Sequence, residues 1–191
     1  MERNATTTAI LDATHRLTVE RAGTDRLTMS AVAAEAGVSR PTLYRWFPTR
    51  DHLLTAMAEY EEERFDRGLH TVLRPTQTPA ERLDAALGYL VWFLDDNLGP
   101  HAVSLDPGFA LRSLAASLPT QVETWVRLLG DALARVPAVR AGELSVDDAA
   151  ELFLRLAYSH YLVRHDDPST LLRSMRSMAG LRPAVGRRAA G

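Results

Sequence analysis

Apolar side chains recur along this chain at the spacing of α-helices, with proline and glycine between the stretches that contain them. One stripe joins Ile10, Ala13 and Leu17, and a longer one begins at Leu53 and ends at Leu69. A spacing of three or four residues places such side chains on one face of a helix. No stretch alternates with the period of two that a half-buried strand requires. The pattern therefore predicts an all-α protein.

The helix that follows Pro79 is more apolar than its neighbours. Leucines form one stripe between Leu83 and Leu94, while Tyr89 and Trp92 belong to a second stripe on another side. A helix that is apolar over so much of its circumference is expected to be buried on more than one face.

Further helices are predicted toward the end of the chain. A short helix follows Asp106, and Pro119, which suits a first turn, is expected to open a separate one. Ser145 is expected to cap a helix that runs to about Arg164, because acidic residues occupy its first turn. Pro168 then opens the last helix.

Composition is that of an ordinary globular protein and excludes several kinds of site. The chain of 191 residues is 46% hydrophobic and 24% charged, and it contains no cysteine. Disulfides, thiolate metal ligands and thiol nucleophiles are therefore excluded. The first 50 residues carry seven arginines and five acids, whereas the remaining 141 carry fifteen arginines and nineteen acids. A basic beginning on an acidic body is consistent with a polyanionic partner at one end.

The sequence predicts a cytoplasmic protein without a membrane partner. The longest uninterrupted apolar run, Tyr89–Leu94, is far shorter than the ~20 residues that a membrane span needs. The N-terminus lacks the apolar core of a secretory signal.

Residues 28–50 combine the signals of two short helices joined by a tight turn. Thr28 is a good N-cap for the first helix, and Gly37 supplies the backbone freedom that a turn requires. Ser39 caps the second helix, and Pro41 falls in its first turn, where no N–H is needed. This spacing predicts a helix-turn-helix, whose second helix enters the major groove of DNA.

Helical geometry sorts the side chains of the second helix into two faces. At about 100° per residue, Leu43 and Phe47 lie close together and face the core. Arg45 points away from them and is suited to donate two hydrogen bonds to the O6/N7 edge of guanine. The residues expected to contact DNA bases or phosphates are Thr28, Ser39, Arg40, Pro41, Thr42, Tyr44, Arg45, Trp46 and Arg50. The alternative is an ordinary αα-hairpin, in which Arg45 and Trp46 are surface residues without a role.

Over about residues 10–54 the chain resembles the DNA-binding domain of the TetR family of bacterial repressors. The matching residues are Thr28, Val32, Ala33, Ala36–Ser39, Thr42–Tyr44, Phe47, Pro48 and Arg50–Leu54. The resemblance implies dimerisation through the last two long helices and release of DNA when a ligand enters the C-terminal domain. Trp46 stands where the family commonly has histidine, which changes the donor that would contact a phosphate. Arg50 stands where lysine is common and keeps the charge.

Two domains and a tail are predicted. Residues 1–50 form a helix-turn-helix DNA-binding domain, residues 51–181 a helical ligand-binding and dimerisation domain, and residues 182–191 a disordered tail. The helix that begins at Ser145 has apolar residues on two sides, and only one is needed for its own domain. The other, together with Leu171, Met175 and Met178 of the last helix, would be a large apolar patch in a monomer. We therefore expect a homodimer on a palindromic operator.

The C-terminal half offers candidates for a ligand site and none for catalysis. Large aromatic residues are the candidates to line a cavity, although any single one is more often explained as core; they are Trp92, Phe93, Phe109, Trp125, Phe153 and Tyr158. Arg155 could meet an acidic ligand, but Glu151, four residues earlier, offers an ordinary helical ion pair. No catalytic motif or cofactor-binding loop is present, and His160 and His165 point to different sides of a helix.

These observations predict a dimeric transcriptional regulator, by resemblance a repressor, that binds double-stranded DNA and a small apolar or amphipathic effector. No cofactor or metal is expected. Two other interpretations stay open at this point, namely a DNA-binding regulator without an effector and an enzyme with an incidental helix-turn-helix. The aromatic-rich C-terminal half argues against the first, and the lack of an evident catalytic group argues against the second.

Overall fold

The structure, a computed structural model, describes residues 4–20, 27–97, 107–163 and 167–181. Every regular element within these ranges is a helix, as predicted. The tail over residues 182–191 and His165 lie outside the described residues. None of the described helices is both long and apolar enough to span a lipid bilayer.

The helices fall into an N-terminal and a C-terminal group. The N-terminal helices are α1 (Ala5–Glu20), α2 (Met29–Glu35), α3 (Arg40–Trp46) and the long α4 (Arg50–Leu73). Next comes α5 (Pro79–Trp92), which continues into one π-helical turn over Phe93–Asn97. The remaining helices are α6 (Pro107–Leu133), the short α7 (Pro137–Arg140), α8 (Val146–Leu162) and α9 (Pro168–Met178).

Side-chain caps fix where several helices begin. Ser145 caps α8 as predicted, because its hydroxyl accepts the backbone N–H of Asp148 at 3.0 Å while the Asp148 carboxylate accepts the backbone N–H of Ser145 at 3.0 Å. The Ser145 hydroxyl also lies 2.6 Å from the Asp148 carboxylate, and this hydrogen bond, together with the backbone N–H of Ser145, holds the pKa of Asp148 below its usual range. Thr78 and Glu81 form the same reciprocal pair at the start of α5.

Two apolar cores lie along α4. The N-terminal core joins side chains of α1 to α4, among them Ile10, Leu11, Val32, Leu43, Phe47 and Leu53. The C-terminal core joins α4 to α9, with Leu83, Leu87, Trp125, Leu129, Phe153 and Met175 fully or almost fully buried. Leu53 and Met57 of α4 belong to the first core, and Phe65 and Leu69 belong to the second. One helix therefore connects the two cores.

A close approach of α4 and α5 depends on Gly68. A methyl group at this position would overlap the ring and hydroxyl of Tyr89. The Tyr89 hydroxyl lies 3.5 Å from the carbonyl oxygen of Arg64, and burial raises the pKa of Tyr89 to about 12. A larger residue here would require the Tyr89 ring to rotate away or α5 to move away from α4.

Three expectations about the C-terminal half are wrong. Pro119 does not open a helix but lies inside α6. The helix continues because Leu114 and Leu118 before the proline pack on the same core as Val122 after it. Pro119 itself is exposed, so water can solvate the carbonyl that loses its N–H partner.

The other two errors concern exposure. The second side of α5 is only partly buried, because Ala85 and Tyr89 pack against the C-terminal core whereas Trp92 is 49% exposed and stacks on Tyr89 with ring centroids 5.6 Å apart. Met175, predicted on an exposed face of the last helix, is fully buried in the C-terminal core. In both cases the helical period assigns the residue to the correct face of its helix. It does not predict which side chains on that face the neighbouring helices cover.

Candidate DNA interface and effector cavity

The turn between α2 and α3 has the geometry that the sequence predicted. Thr28 caps α2, since its hydroxyl accepts the N–H of Ala31 at 3.1 Å. Gly37 adopts a φ of 66°, which favours glycine. Ser39 caps α3 by accepting the N–H of Thr42 at 3.2 Å, and the hydroxyls of Ser39 and Thr42 lie 2.9 Å apart. The start of α3 is thus held by two hydroxyl groups.

The second helix of this unit presents one buried and one exposed face. Leu43 is fully buried, and Phe47, the residue that ends α3, is 2% exposed. Arg40, Pro41, Tyr44 and Arg45 are exposed, and Thr42 is half-buried between the two faces. The Arg45 guanidinium lies 5.8 Å from the ring centroid of Trp46. The guanidinium of Arg45, which can donate two hydrogen bonds at once, and the phenol of Tyr44 therefore project from the outer face of α3.

Two of the predicted contact residues are more enclosed than expected. Arg50 donates from Nε to the backbone carbonyl of Leu27 at 3.4 Å, a bond that ties α4 to the segment before α2. The indole N–H of Trp46 is buried and has no hydrogen-bond partner among the described residues. Thr49, which the sequence analysis missed, caps α4 by accepting the N–H of His52 at 3.1 Å.

A charged cluster joins α1 to α4 next to this unit. Glu61 is 7% exposed and accepts two hydrogen bonds at 3.1 Å from Nη1 of Arg64. Nδ1 of His15 lies 2.8 Å from the same carboxylate. Tyr60 donates to the carboxylate of Asp12, and burial raises the pKa of Tyr60 above its usual value.

A cavity of about 680 Å³ opens beside this cluster. Its walls come from α4, α5 with its π-helical turn, α6 and α8, and α1 contributes His15 and Thr18. The cavity therefore touches a helix of the N-terminal unit directly. Such a volume is typical of a site for a small organic molecule.

The structure brings half of the predicted aromatic residues to this cavity. Phe93, Phe109 and Tyr158 line it, and burial raises the pKa of the Tyr158 phenol. Trp125 and Phe153 instead fill the C-terminal core, where they are 0% and 1% exposed. Trp92, with its half-exposed ring, lies outside the lining. Phe65 and Tyr161, which also line the cavity, were not predicted.

The polar lining is acidic, which the sequence analysis did not anticipate. Carboxylates that line the cavity are Glu59, Glu61, Glu62, Glu63 and Asp66 of α4. Gln121 of α6 is 5% exposed, and its Nε2 donates to Oε1 of Glu62 at 3.3 Å. No arginine belongs to the lining formed by the described residues. Arg155 is exposed and pairs with Glu151 at 2.6 Å, so the ordinary ion pair predicted for it is confirmed.

The outer face of α8 keeps part of the predicted apolar patch. Leu152 and Leu156 are half-buried, Val163 just beyond the helix is 77% exposed, and Met178 of α9 is 43% exposed. Arg176 fixes α9 to α5, with its Nε 2.5 Å from a carboxylate oxygen of Asp84. The described residues contain no cluster of three or more histidine, aspartate or glutamate side chains arranged for a metal ion.

Residues 10–57, which contain this helix-turn-helix, match the family described as bacterial regulatory proteins, tetR family. Over these residues the chain has the DNA-binding region of the TetR family. The chain is 35% identical over 126 residues to the HTH-type transcriptional repressor KstR of Rhodococcus jostii strain RHA1, an alignment that covers 65% of this chain and 58% of KstR. The chain spans about half the length of the curated relatives it matches.

Solved structures share the TetR fold along most of the chain. The fatty acid degradation regulator FadR from Bacillus halodurans has a TM-score of 0.65 at 17% identity, over 94% of this chain and 96% of FadR. RolR in complex with resorcinol has a TM-score of 0.52 at 24% identity, over 93% of this chain and 88% of RolR. At these identities the likeness concerns the fold.

Proposed function

We propose that this TetR-family chain is a ligand-responsive transcriptional repressor that binds a palindromic DNA operator as a homodimer. The observation that carries the proposal is the exposed face of α3, where Tyr44 and Arg45 project opposite the buried Leu43. A short helix with this arrangement fits the major groove. The relative KstR is a transcriptional repressor, which supports repression rather than activation.

Within this proposal, Arg45 reads the sequence and its neighbours set the position on DNA. Arginine donates to both acceptors of guanine in the major groove, so Arg45 specifies a base pair in each half-site. Thr42, half-buried at the edge of the exposed face, contacts a base edge or a thymine methyl. The residues assigned to the sugar-phosphate backbone or the groove wall are Thr28, Ser39, Arg40, Pro41, Tyr44, Trp46 and Arg50. Phosphate contacts fix the register without reading sequence.

Two rearrangements accompany DNA binding in this proposal. The indole N–H of Trp46 reaches a phosphate only if the ring rotates out of its enclosed position. The hydroxyls of Ser39 and Thr42, which face each other at 2.9 Å, exchange this contact for phosphate or base oxygens. Both changes are rotations about side-chain bonds and leave the helix in place.

Each of the two cores has its own role in this proposal. Residues 1–50 bind DNA, and residues 51–181 bind the effector and the second subunit. The α4 helix transmits the effect of effector binding from the C-terminal to the N-terminal core. The effector occupies the cavity beside His15, whose helix belongs to the DNA-binding unit. RolR, a protein of the same fold, is known in complex with the small molecule resorcinol. An effector shifts DNA affinity only by as much as its own affinity differs between the DNA-bound and released states.

The homodimer forms through α8 and α9. Leu152, Leu156 and Val163 lie on one side of α8, and Met178 extends this surface onto α9. A two-fold axis through this surface brings the same patch of the two subunits into contact. It also places the two α3 helices on successive turns of DNA.

The test is selection of double-stranded DNA from a random library on the purified full chain. We expect enrichment of an inverted repeat whose half-sites are separated by about one helical turn, or roughly 34 Å. Binding of the selected sequence is then measured against a scrambled duplex at the same salt concentration, because phosphate contacts make affinity salt-dependent. Equal affinity for the selected and scrambled duplexes would refute a sequence-specific regulator.

A further inference from the structure

The effector cavity carries one sign of charge, and this points to the chemical class of its ligand. The inference rests on the proposed function, since it concerns the same cavity. Five carboxylates of α4 line it, and the described lining contains one imidazole and no guanidinium group. Glu61 is already satisfied by Arg64 and His15. In the described lining, carboxylates therefore outnumber basic side chains by five to one.

Two enclosed oxygen atoms in this wall have no hydrogen-bond donor. They are Oδ1 of Asp66 and Oε1 of Gln121, both buried and both without a partner among the described residues. Buried polar atoms are nearly always paired in folded proteins, so an unpaired one needs an explanation. Two acceptors without donors in the lining of one cavity are explained if the ligand supplies the donors.

The orientation of Gln121 strengthens this point. Its amide nitrogen donates to Oε1 of Glu62 at 3.3 Å and lies close enough to Asp66 to lower the pKa of that carboxyl, although Oδ1 of Asp66 itself has no partner among the described residues. Exchanging the amide oxygen and nitrogen would place the oxygen against two carboxylates, which is unfavourable. The carbonyl end of the amide is therefore the unpaired acceptor.

The basic side chains near Asp66 do not compensate for its burial. His70 and Arg127 act on its carboxylate, yet both side chains are exposed, so solvent screens them. Burial outweighs their effect and raises the pKa of Asp66 above its usual value of 3.8. The carboxylate is thus underpaired as well as desolvated.

We infer that the effector is a lipophilic amine whose protonated nitrogen donates to Asp66 and Gln121 while its apolar part lies among the aromatic rings. Phe65, Phe93 and Phe109 belong to that aromatic lining, and the faces of aromatic rings attract cations. An organic cation is favoured over a metal ion because the described acidic and histidine side chains form no cluster suited to metal coordination.

The experiment is titration calorimetry of the full chain with three ligands of the same shape: 4-phenylbutylamine, 4-phenylbutan-1-ol and 4-phenylbutanoate. At pH 7.5 the amine is a cation and the acid an anion. We expect the amine to bind about tenfold more tightly than the alcohol, since charge-assisted hydrogen bonds are roughly twice as strong as neutral ones. The carboxylate should bind more weakly than both. Equal or tighter binding of the alcohol would overturn the inference.

Matched variants locate the effect. Asp66→Asn and Gln121→Leu should each weaken binding of the amine much more than binding of the alcohol, whose hydroxyl can donate only a neutral hydrogen bond to the same acceptors. Asp131→Asn alters an exposed carboxylate of α6 that does not line the cavity, and it should leave all three affinities unchanged. If the amine preference survives in both cavity variants, or is lost in Asp131→Asn as well, the assignment to this wall is wrong. Circular dichroism of each variant confirms that it is folded.

The outcome is independent of the DNA experiment. A chain that selects a DNA sequence but prefers the alcohol would retain its proposed function and lose the assigned ligand class. A chain that prefers the amine but selects no DNA would retain the ligand class and lose the proposed function.

Discussion

Nδ1 of His15 lies 2.8 Å from Oε1 of Glu61, and this contact joins α1 to α4 at the wall of the cavity. Nη1 of Arg64 lies 3.0 Å from Nδ1 and 3.1 Å from Nε2 of the same ring. One imidazole thus contacts both a carboxylate and a guanidinium. The DNA-binding unit and the cavity consequently share a single polar cluster.

Removing the Glu61 carboxylate should destabilise the fold. Glu61→Ala leaves the partly buried guanidinium of Arg64 and the imidazole of His15 without their acceptor. Truncating one partner of a buried pair costs about 2–4 kcal/mol in the free energy of unfolding. Urea denaturation measures the loss. Glu59→Ala, which removes an exposed carboxylate of the same helix, should change the free energy by less than about 0.5 kcal/mol. If the free energy of unfolding falls by the same amount in Glu61→Ala and Glu59→Ala, the contacts of Glu61 contribute no stability of their own.

Arg45→Ala should weaken binding to the selected operator by about 1–3 kcal/mol and relax the preference at one base pair per half-site. The reason is that its two donors match guanine, whereas alanine has none. Gel-shift titration on a set of single-base operator variants measures both quantities. Arg140→Ala removes the same charge from the exposed α7 and serves as the control for long-range attraction. If both variants lose affinity equally and keep the same base preference, Arg45 reads no base.

Val163→Arg should convert the proposed dimer into a monomer. Val163 is 77% exposed in the described subunit, and a guanidinium at this position would be buried without a partner at the interface. Light scattering at micromolar concentration should then give a mass near 21.1 kDa, that of one chain. Leu111→Arg changes an exposed leucine of α6 outside the predicted interface and should leave the dimer intact. A monomeric wild type would exclude the interface altogether.

Asp66→Asn should stabilise the ligand-free chain at neutral pH. Burial raises the folded-state pKa of Asp66 above 3.8, so the folded chain holds this proton at pH values where the unfolded chain has released it. Stability therefore falls as the pH rises from 3.8 through the raised pKa, and the loss is complete above it. Asparagine carries no charge and avoids this loss.

The measurable effect is a difference in melting temperature between variant and wild type. Because solvent still screens Asp66, we expect a gain on the order of 1–3 °C at pH 7. The gain should disappear near or below pH 3.8, where both forms are neutral. A melting temperature that is lower at pH 7 than in the wild type would mean that the ionised carboxylate is stabilised in the fold.

The helix-turn-helix could be predicted because its signals are local. Thr28, Gly37 and Ser39 act on backbone atoms within three residues of themselves, so their spacing specifies the turn without knowledge of the rest of the fold. The buried and exposed faces of α3 follow from the helical period alone. The continuous α6 was missed for the opposite reason, since tertiary packing of Leu114 and Leu118 outweighs the local signal of Pro119.

The acidic wall of the cavity depends on contacts that are distant in sequence. The run from Glu59 to Glu63 is typical of a solvated helix face, and α6 arrives from more than fifty residues away to cover part of it. One signal was present, because Glu61 stands in the apolar stripe between Met57 and Phe65. A carboxylate at such a position is expected to have a partner. Glu61 therefore marks the point along α4 where a polar contact interrupts the apolar stripe.

The contact of Tyr89 with Gly68 also bears on how α4 would transmit the proposed switch. If α4 tilts about this contact near its C-terminal end, it acts as a lever with its fulcrum at Gly68 and carries the N-terminal core on the arm that reaches Arg50. With a rise of 1.5 Å per residue, this arm is about 27 Å long, and a tilt of about 5° displaces its far end by about 2 Å. In a symmetric dimer both arms move, which changes the span between the two α3 helices by up to about 4 Å against the roughly 34 Å of one DNA turn.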